Sequence, residues 1–247
     1  MPLEHLGLLA VIAALSVVQS IFGMGILVFG TPTLLLLGYD FATTLTILLP
    51  ASFAISLLQV IEGRSEHVPI SKNLYLLCLP AICIGLWLSS LGPAIEWTNT
   101  LVGTVLVLSA LVRIVPKMRN ALVVLLQRFF PTYHTVMGLV HGLTNLGGAL
   151  LAILASTTGS GKVAVRHIVA HYYLMFSTMQ MLFLGVFLGL FDGFLINLLG
   201  AAVSAAIYLF VGRRIFSRAS NPAFNAAMTV FMAAYGLVVI SRPLFTP

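Results

Sequence analysis

The chain has 247 residues, of which 60% are hydrophobic and 7% charged, with a formal net charge of +6. A soluble domain carries about 25% charged residues, and so few charges cannot cover a surface of this size. Together with a mean hydropathy of +1.10, this indicates an integral membrane protein and excludes collagen, a disordered chain, a disulfide scaffold and a nucleic-acid binder.

The apolar runs exceed the roughly ten residues of an outer-membrane strand, so the expected fold is all-α and polytopic. The first segment, residues 3–38, is apolar on both sides of a break at Gly23-Met24-Gly25. Glu4 and His5 stand where a cleavable signal would be positive, so no signal peptide is expected. Single spans are expected at about 41–61, 73–91 and 98–115, with Pro50 and Pro80 inside them as membrane helices tolerate. Cys78 and Cys83 read as small buried apolar residues, because no metal-ligand or redox spacing accompanies them. A basic linker covers 117–130, and its part 121–130 is too short to span and reads as an interfacial helix. Residues 132–158 form a second broken apolar segment, interrupted at Asn145-Leu146-Gly147-Gly148, and further spans follow at about 168–190, 194–212 and 223–241. Paired glycines stop a helix, each costing its interior roughly 1 kcal/mol. The arms are expected at about 12–17 residues, the length of half-helices rather than full crossings.

The two breaks correspond. Gln19–Gly25 overlays His141–Gly147 at an offset of 122, and three spans follow each. The chain therefore divides into a first repeat, 1–116, the linker 117–130, and a second repeat, 131–247. Charge counting orients it. If each broken segment crossed once, seven basic residues would face five. If each enters and returns on one side, Arg64, Lys72, Arg113, Lys117, Arg119, Arg128, Lys162, Arg166, Arg213, Arg214 and Arg218 share a side and Arg242 alone is opposite. The positive-inside rule favours the second arrangement. It implies two inverted repeats, each with a re-entrant helix pair and three transmembrane helices. The basic loops are then cytoplasmic and both termini periplasmic, and the hairpins enter from opposite faces towards the midplane.

Irregular backbone at membrane depth survives only where protein or a water-filled cavity surrounds it. The start of each second half-helix offers N–H groups and partial positive charge, and glycine lets a ligand come close, so the pair makes an anion site without a buried charge. Candidate binding residues are Gln19, Gly23, Met24, Gly25, Ile26 and Thr31 at the first break. At the second they are His141, Thr144, Asn145, Leu146, Gly147 and Gly148. The alternative is that these glycines only permit close helix packing.

The runs Gly23-Met24-Gly25 to Gly30-Thr31-Pro32-Thr33-Leu34 with Gly38, and Gly138 to Asn145-Leu146-Gly147-Gly148, resemble those of the TauE/SafE family of sulfite and organosulfonate exporters. The first copy keeps Gly23, Gly25 and Pro32 but has Ile26 where another glycine is common. The second keeps Gly147 and Gly148 but has Leu154 near the expected proline. The resemblance covers nearly the whole chain and implies transport of small sulfur-containing or carboxylate anions.

Arg166 lies after the second broken segment and can bind an oxyanion through its fork of donors, or else snorkel to headgroups. His141 can donate to an anion or sit satisfied in the interior. His167 and His171 have the i, i+4 spacing of a metal pair, but no Asp, Glu or Cys accompanies them, so no metal or other cofactor is expected. No carboxylate lies well inside a span and no P-loop is present, which argues against a carboxylate proton relay and against ATP.

The expected function is therefore a non-enzymatic secondary transporter of the bacterial inner membrane, moving a sulfite, sulfonate or carboxylate anion by alternating access. Its partners are the small anion and membrane lipid, with no nucleic acid, and a homodimer is left open. The alternatives are a membrane-embedded enzyme acting on a lipid or sulfur compound through His141, His167 and His171, and a channel or scaffold. The topology makes a direct prediction. Single cysteines introduced at positions 65 and 161 should both react with an impermeant thiol reagent from the cytoplasmic face, and labelling from opposite faces would eliminate the re-entrant arrangement.

Overall fold

The computed structural model describes residues 3–63, 68–91, 104, 107–108, 111, 114–159 and 161–241. The chain is helical, with no strand among the described residues. The helices are α1 (Leu3–Phe22), α2 (Ile26–Leu36) and α3 (Phe41–Glu62), then a π-helical turn (Leu74–Cys78) running into α4 (Leu79–Ser90). After these come α5 (Pro116–Arg128), α6 (Phe130–Thr144), α7 (Gly148–Thr158), α8 (Gly161–Leu188), α9 (Phe191–Ile196) and α10 (Leu198–Ile207). A second π-helical turn (Tyr208–Gly212) leads into α11 (Arg213–Arg218), and α12 (Asn221–Ser241) closes the chain.

Among the described residues, three helical stretches are long and apolar enough to cross a membrane: Phe41–Glu62, Gly161–Leu188 and Phe191–Arg218. The expected span 98–115 lies largely outside the described residues, as do Arg64, Glu66, Glu96, Asn99, Arg113 and Arg242. Two spans are longer than apolar counting suggested. α8 begins at Gly161 rather than 168, and the α9–α11 stretch continues to Arg218 rather than 212. Both extensions run through basic residues, and the physical reason is that Arg166 and Arg213 are paired with Glu62. The linker helix begins at Pro116 instead of 121 because proline is well placed in a first helical turn.

Both breaks fall where expected, but their arms differ in length. α1 has 20 residues and α6 has 15, while α2 and α7 have 11 each. At about 1.5 Å per residue, an 11-residue helix reaches about half of a hydrocarbon core roughly 30 Å thick. α2 is stopped by Gly38, whose φ of +91 suits glycine. Asp40 then starts α3, its Oδ1 accepting from the Thr43 N–H at 2.9 Å and its Oδ2 from the Thr43 hydroxyl at 2.6 Å.

The short helices are enclosed. In α2, Ile26–Pro32 and Leu34 are all buried, and in α7 so are Gly148, Ala149 and Leu151–Ala155. A helix that is apolar on all sides and buried belongs to an interior. Elsewhere apolar side chains are exposed, among them Leu76 and Phe210 on the π-helical turns, Phe187 on α8 and Val230 on α12, each more than 60% exposed. This is the arrangement of a protein whose solvent is lipid.

The described chain forms two compact units, residues 1–70 with 166–219 and residues 71–165 with 220–247. Each draws helices from both sequence repeats, and one packing device serves in each. In the second unit, α6 crosses α4 through Gly138 and Gly142, where an added Cβ would lie 2.2 Å from the carbonyl oxygens of Cys78 and Ile82. In the first unit, α1 crosses the α10–α11 stretch through Ser16 and Ser20, the positions 122 earlier. Ser16 Oγ meets Ser204 Oγ at 2.7 Å, and a Cβ at Gly212 would lie 2.0 Å from Ser20 Cβ. Small residues four apart let membrane helices approach closely.

The Asp40 cap supplies a prediction. The two Thr43 bonds hold its carboxyl below the ordinary carboxylate range. A depressed carboxyl stabilises the fold fully above its unfolded pKa of about 4, and that stability is lost as pH falls below it. Asp40→Ala should cost about 1 kcal/mol at neutral pH, read as a lower unfolding midpoint in detergent. The deficit should shrink on acidification; an unchanged deficit in acid would mean the carboxylate is not its source.

Candidate functional site

The two breaks match residue for residue. α1 ends at Phe22 and α6 at Thr144, and α2 starts at Ile26 and α7 at Gly148, all at the offset of 122. Each first arm ends on a left-handed residue, Gly23 with φ +79 and Asn145 with φ +60. Glycine and asparagine are the residues that adopt this helix-ending conformation at least cost. The Gly23 N–H donates to the Gln19 carbonyl at 2.8 Å, as the Asn145 N–H does to the His141 carbonyl at 2.7 Å. Beyond the breaks, Phe29 donates to Gly25 and Leu151 to Gly147, both at 2.9 Å.

The glycine two residues after each left-handed residue turns the chain back against its first arm. A Cβ at Gly25 would lie 2.6 Å from the Gln19 nitrogen and 3.0 Å from the Leu15 oxygen. One at Gly147 would lie 2.6 Å from His141 Cβ and 2.8 Å from the Met137 oxygen. The neighbours are again equivalent, six and ten residues upstream in each copy.

Polar side chains surround the first break. Gln19 is fully buried, and its Oε1 accepts from the Ile26 N–H at 3.1 Å. Its Nε2 lies 3.0 Å from the Ser52 carbonyl and 3.2 Å from Ser56 Oγ. The Ile26 N–H, read from sequence as open to a ligand, is therefore taken by Gln19, because a buried amide needs a partner. On the other side of the break, Gln59 Nε2 donates to the carbonyls of Gln19 and Ser20 at 3.0 and 3.1 Å. Arg166 Nη1 adds a longer contact to the Ser20 carbonyl, 3.4 Å. These donors meet the last carbonyls of α1, where a positive charge also opposes the helix dipole.

Arg166 belongs to a larger cluster. It is 6% exposed, its guanidinium lies 3.5 Å over the Phe216 ring, and its Nη2 is 3.7 Å from Glu62 Oε2. Arg213 Nε lies 3.7 Å from Glu62 Oε1, and the Tyr208 hydroxyl donates to Glu62 Oε2. Tyr208 stands on the second π-helical turn, a local unwinding common at functional sites.

At the second break, Thr144, Asn145 and Leu146 are buried, and the Thr144 hydroxyl donates to the Val140 carbonyl at 2.7 Å and accepts from the Leu146 N–H at 3.3 Å. His141 is completely buried against Gly147.

A family model described as Sulfite exporter TauE/SafE matches residues 8–239, nearly the full chain and both breaks. The chain belongs to this family. No curated protein and no solved structure matches it.

The sequence-derived candidates of this TauE/SafE protein fall into two places. Gln19, Gly23, Met24, Gly25 and Ile26 lie at the first break and Thr31 farther along α2; all six are buried, and the positive φ of Gly23 shapes the turn. His141, Thr144, Asn145, Leu146 and Gly147 make the second, with Gly148 already inside α7. Arg166 was associated from sequence with the second hairpin. The fold places it beside the first, where a Cβ on Gly23 would lie 3.0 Å from the Arg166 carbonyl. It is buried and paired rather than extended to headgroups. His167 packs its ring against Gly63 and lies 6.3 Å, centroid to centroid, from His171.

Sequence reading missed Ser52, Ser56, Gln59 and Glu62. Their signal was available, because steps of four, three and three place them on one face of an otherwise apolar helix. It did not reach Tyr208, Arg213 or Phe216, whose part depends on helices that meet only in the fold.

The matched left-handed caps are open to test. Asn145→Val should be less stable than Asn145→Gly by about 1–2 kcal/mol, the cost of a left-handed backbone for an ordinary residue. Equal unfolding midpoints for the two variants would show that the conformation at 145 does not matter.

Proposed function

We propose that this TauE/SafE protein is a secondary transporter that carries a small anion across the bacterial inner membrane by alternating access. The anion is sulfite, an organosulfonate or a related carboxylate. The carrying observation is the duplicated break: two buried helix interruptions at one offset, each ending its first arm on a left-handed residue with the same backbone bonds and setting a glycine against the residues six and ten positions upstream. Helix starts of this kind attract anions through their N–H groups and dipole. The family's description as a sulfite exporter supports the same substrate chemistry.

In this reading the chain forms two inverted repeats whose broken segments are re-entrant. The basic loops face the cytoplasm and both termini the periplasm, as the charge distribution favours. Ile26 and Gly148 begin the helices that receive the anion. Gln19, Thr31, His141, Thr144 and Asn145 provide hydrogen bonds, and Arg166 draws the anion towards the first break. Gln19 also sets the shape of the break, since its Oε1 accepts from the Ile26 N–H.

Flux of sulfite and methanesulfonate into proteoliposomes tests this. A leucine at Gly25 or Gly147 would collide with backbone, so a change of shape would confound the result. Gln19→Met keeps the volume and removes the polar atoms. A lost hydrogen bond to a charged group is worth about 1.5–3 kcal/mol, so flux should fall at least about tenfold in a variant that remains monodisperse. Background flux of every anion through the unaltered protein would refute the proposal.

A further inference from the structure

Glu62 is held in a setting that suits an oxyanion. Two guanidinium groups and a phenol converge on its carboxylate. Arg166 Nη2 and Arg213 Nε each approach at 3.7 Å, and the Tyr208 hydroxyl donates to Oε2. A charge-assisted N–H···O bond is about 2.7–2.9 Å long, so neither arginine has its full bond to Glu62. The cluster holds two positive charges against one negative. Arg166 is fixed under it, with 7% of its side chain exposed, by the Phe216 ring and the Ser20 carbonyl. Glu62 is the last residue of α3, and its side chain is 37% exposed, that of Arg213 57%. A buried cation thus faces a loosely held, reachable anion.

We infer that Arg166, Arg213 and Tyr208 form an oxyanion-binding site whose resident occupant is Glu62, and that a sulfite or sulfonate binds by displacing it. The inference rests on the anion-transport reading and supplies a recognition site for that substrate class. A carboxylate presents two oxygens in a plane, whereas sulfite and sulfonates present three in a pyramid, one for each donor group. Exchange of one anion for another never leaves Arg166 buried without a partner, which would be costly. A sulfonate and Glu62 present together bring the cluster to neutrality, so displacement need not pass through an anionic excess. The Ser20 carbonyl connects the site to the last turn of α1. An Arg166 drawn towards a bound oxyanion releases that carbonyl three residues before Gly23, which couples occupancy to the first break.

The test is anion binding to the full-length protein in detergent, by calorimetry and thermal unfolding, with methanesulfonate and sulfite as ligands. Chloride and dimethyl sulfone serve as controls lacking the oxygens or the charge. If Glu62 fills the site in about nine of ten molecules, its removal lowers the apparent Kd about tenfold. Glu62→Gln should therefore bind methanesulfonate about tenfold more tightly, unfold at lower temperature without it, and recover when it is added. Glu62→Asp, which keeps the charge but shortens its reach, should fold without added anion and also bind more tightly. Arg166→Gln and Arg213→Gln should bind more weakly. Wild-type affinity in both Glu62 variants, with no recovery by sulfonate, would make the cluster a purely structural ion pair and overturn the inference while leaving transport intact. An unaltered protein that neither binds nor moves any of these anions would overturn both readings.

Discussion

A helix that stops inside an apolar environment leaves carbonyls at one end and N–H groups at the other, and lipid can satisfy neither. Each unsatisfied group costs several kcal/mol in hydrocarbon, more than the roughly 1 kcal/mol that an ordinary hydrogen bond returns. The rest of this structure follows from meeting that demand at two breaks. Gly23 and Asn145 end the first arms in the conformation that brings their own N–H groups back to the arm. Gln59 and Arg166 take the remaining charge at the end of α1, and Gln19 takes the first amide of α2. The negative helix end is thus compensated from outside its own helix, while the positive end is held only by a neutral amide.

Enclosure follows from the same demand. α2 and α7 are buried on nearly every side, although their compositions match a lipid-facing segment. Residues 16 and 20 are serine and residues 138 and 142 are glycine, so the long helices α1 and α6 approach their partners closely enough to help close each unit. A larger side chain at Gly138 or Gly142 would press on backbone oxygens. In the second broken segment glycines are therefore packing residues and helix breakers at once, in different places along the chain.

Charge is used sparingly and in company. Arg166 sits in the second turn of α8, where an isolated buried guanidinium would cost several kcal/mol. Glu62, the Phe216 ring and the Ser20 carbonyl together make it tolerable. This pairing is why α8 continues through Arg166. The same carboxylate serves Arg213 at the start of α11, so one acid at the end of α3 supports basic residues on two other helices.

Composition alone determined that the chain belongs in a membrane, because 7% charged residues cannot solvate a surface. Local pattern determined where helices stop. Glycine pairs and an asparagine dictate backbone conformation within a few residues, and the offset between Gln19–Gly25 and His141–Gly147 carried over to the helix ends and the left-handed residues that close the first arms. Span limits were less legible, since a basic residue reads as the end of an apolar run unless its partner is known, and Glu62 lies 104 positions before Arg166. Only the tertiary structure decided that Arg166 lies beside the first break, that Gln19 occupies the Ile26 amide, and that Tyr208, Arg213 and Glu62 meet. The reason is physical. Helix ends are local events governed by backbone torsion, whereas a buried charge is placed by whichever distant side chains can compensate it, and no local pattern records that choice.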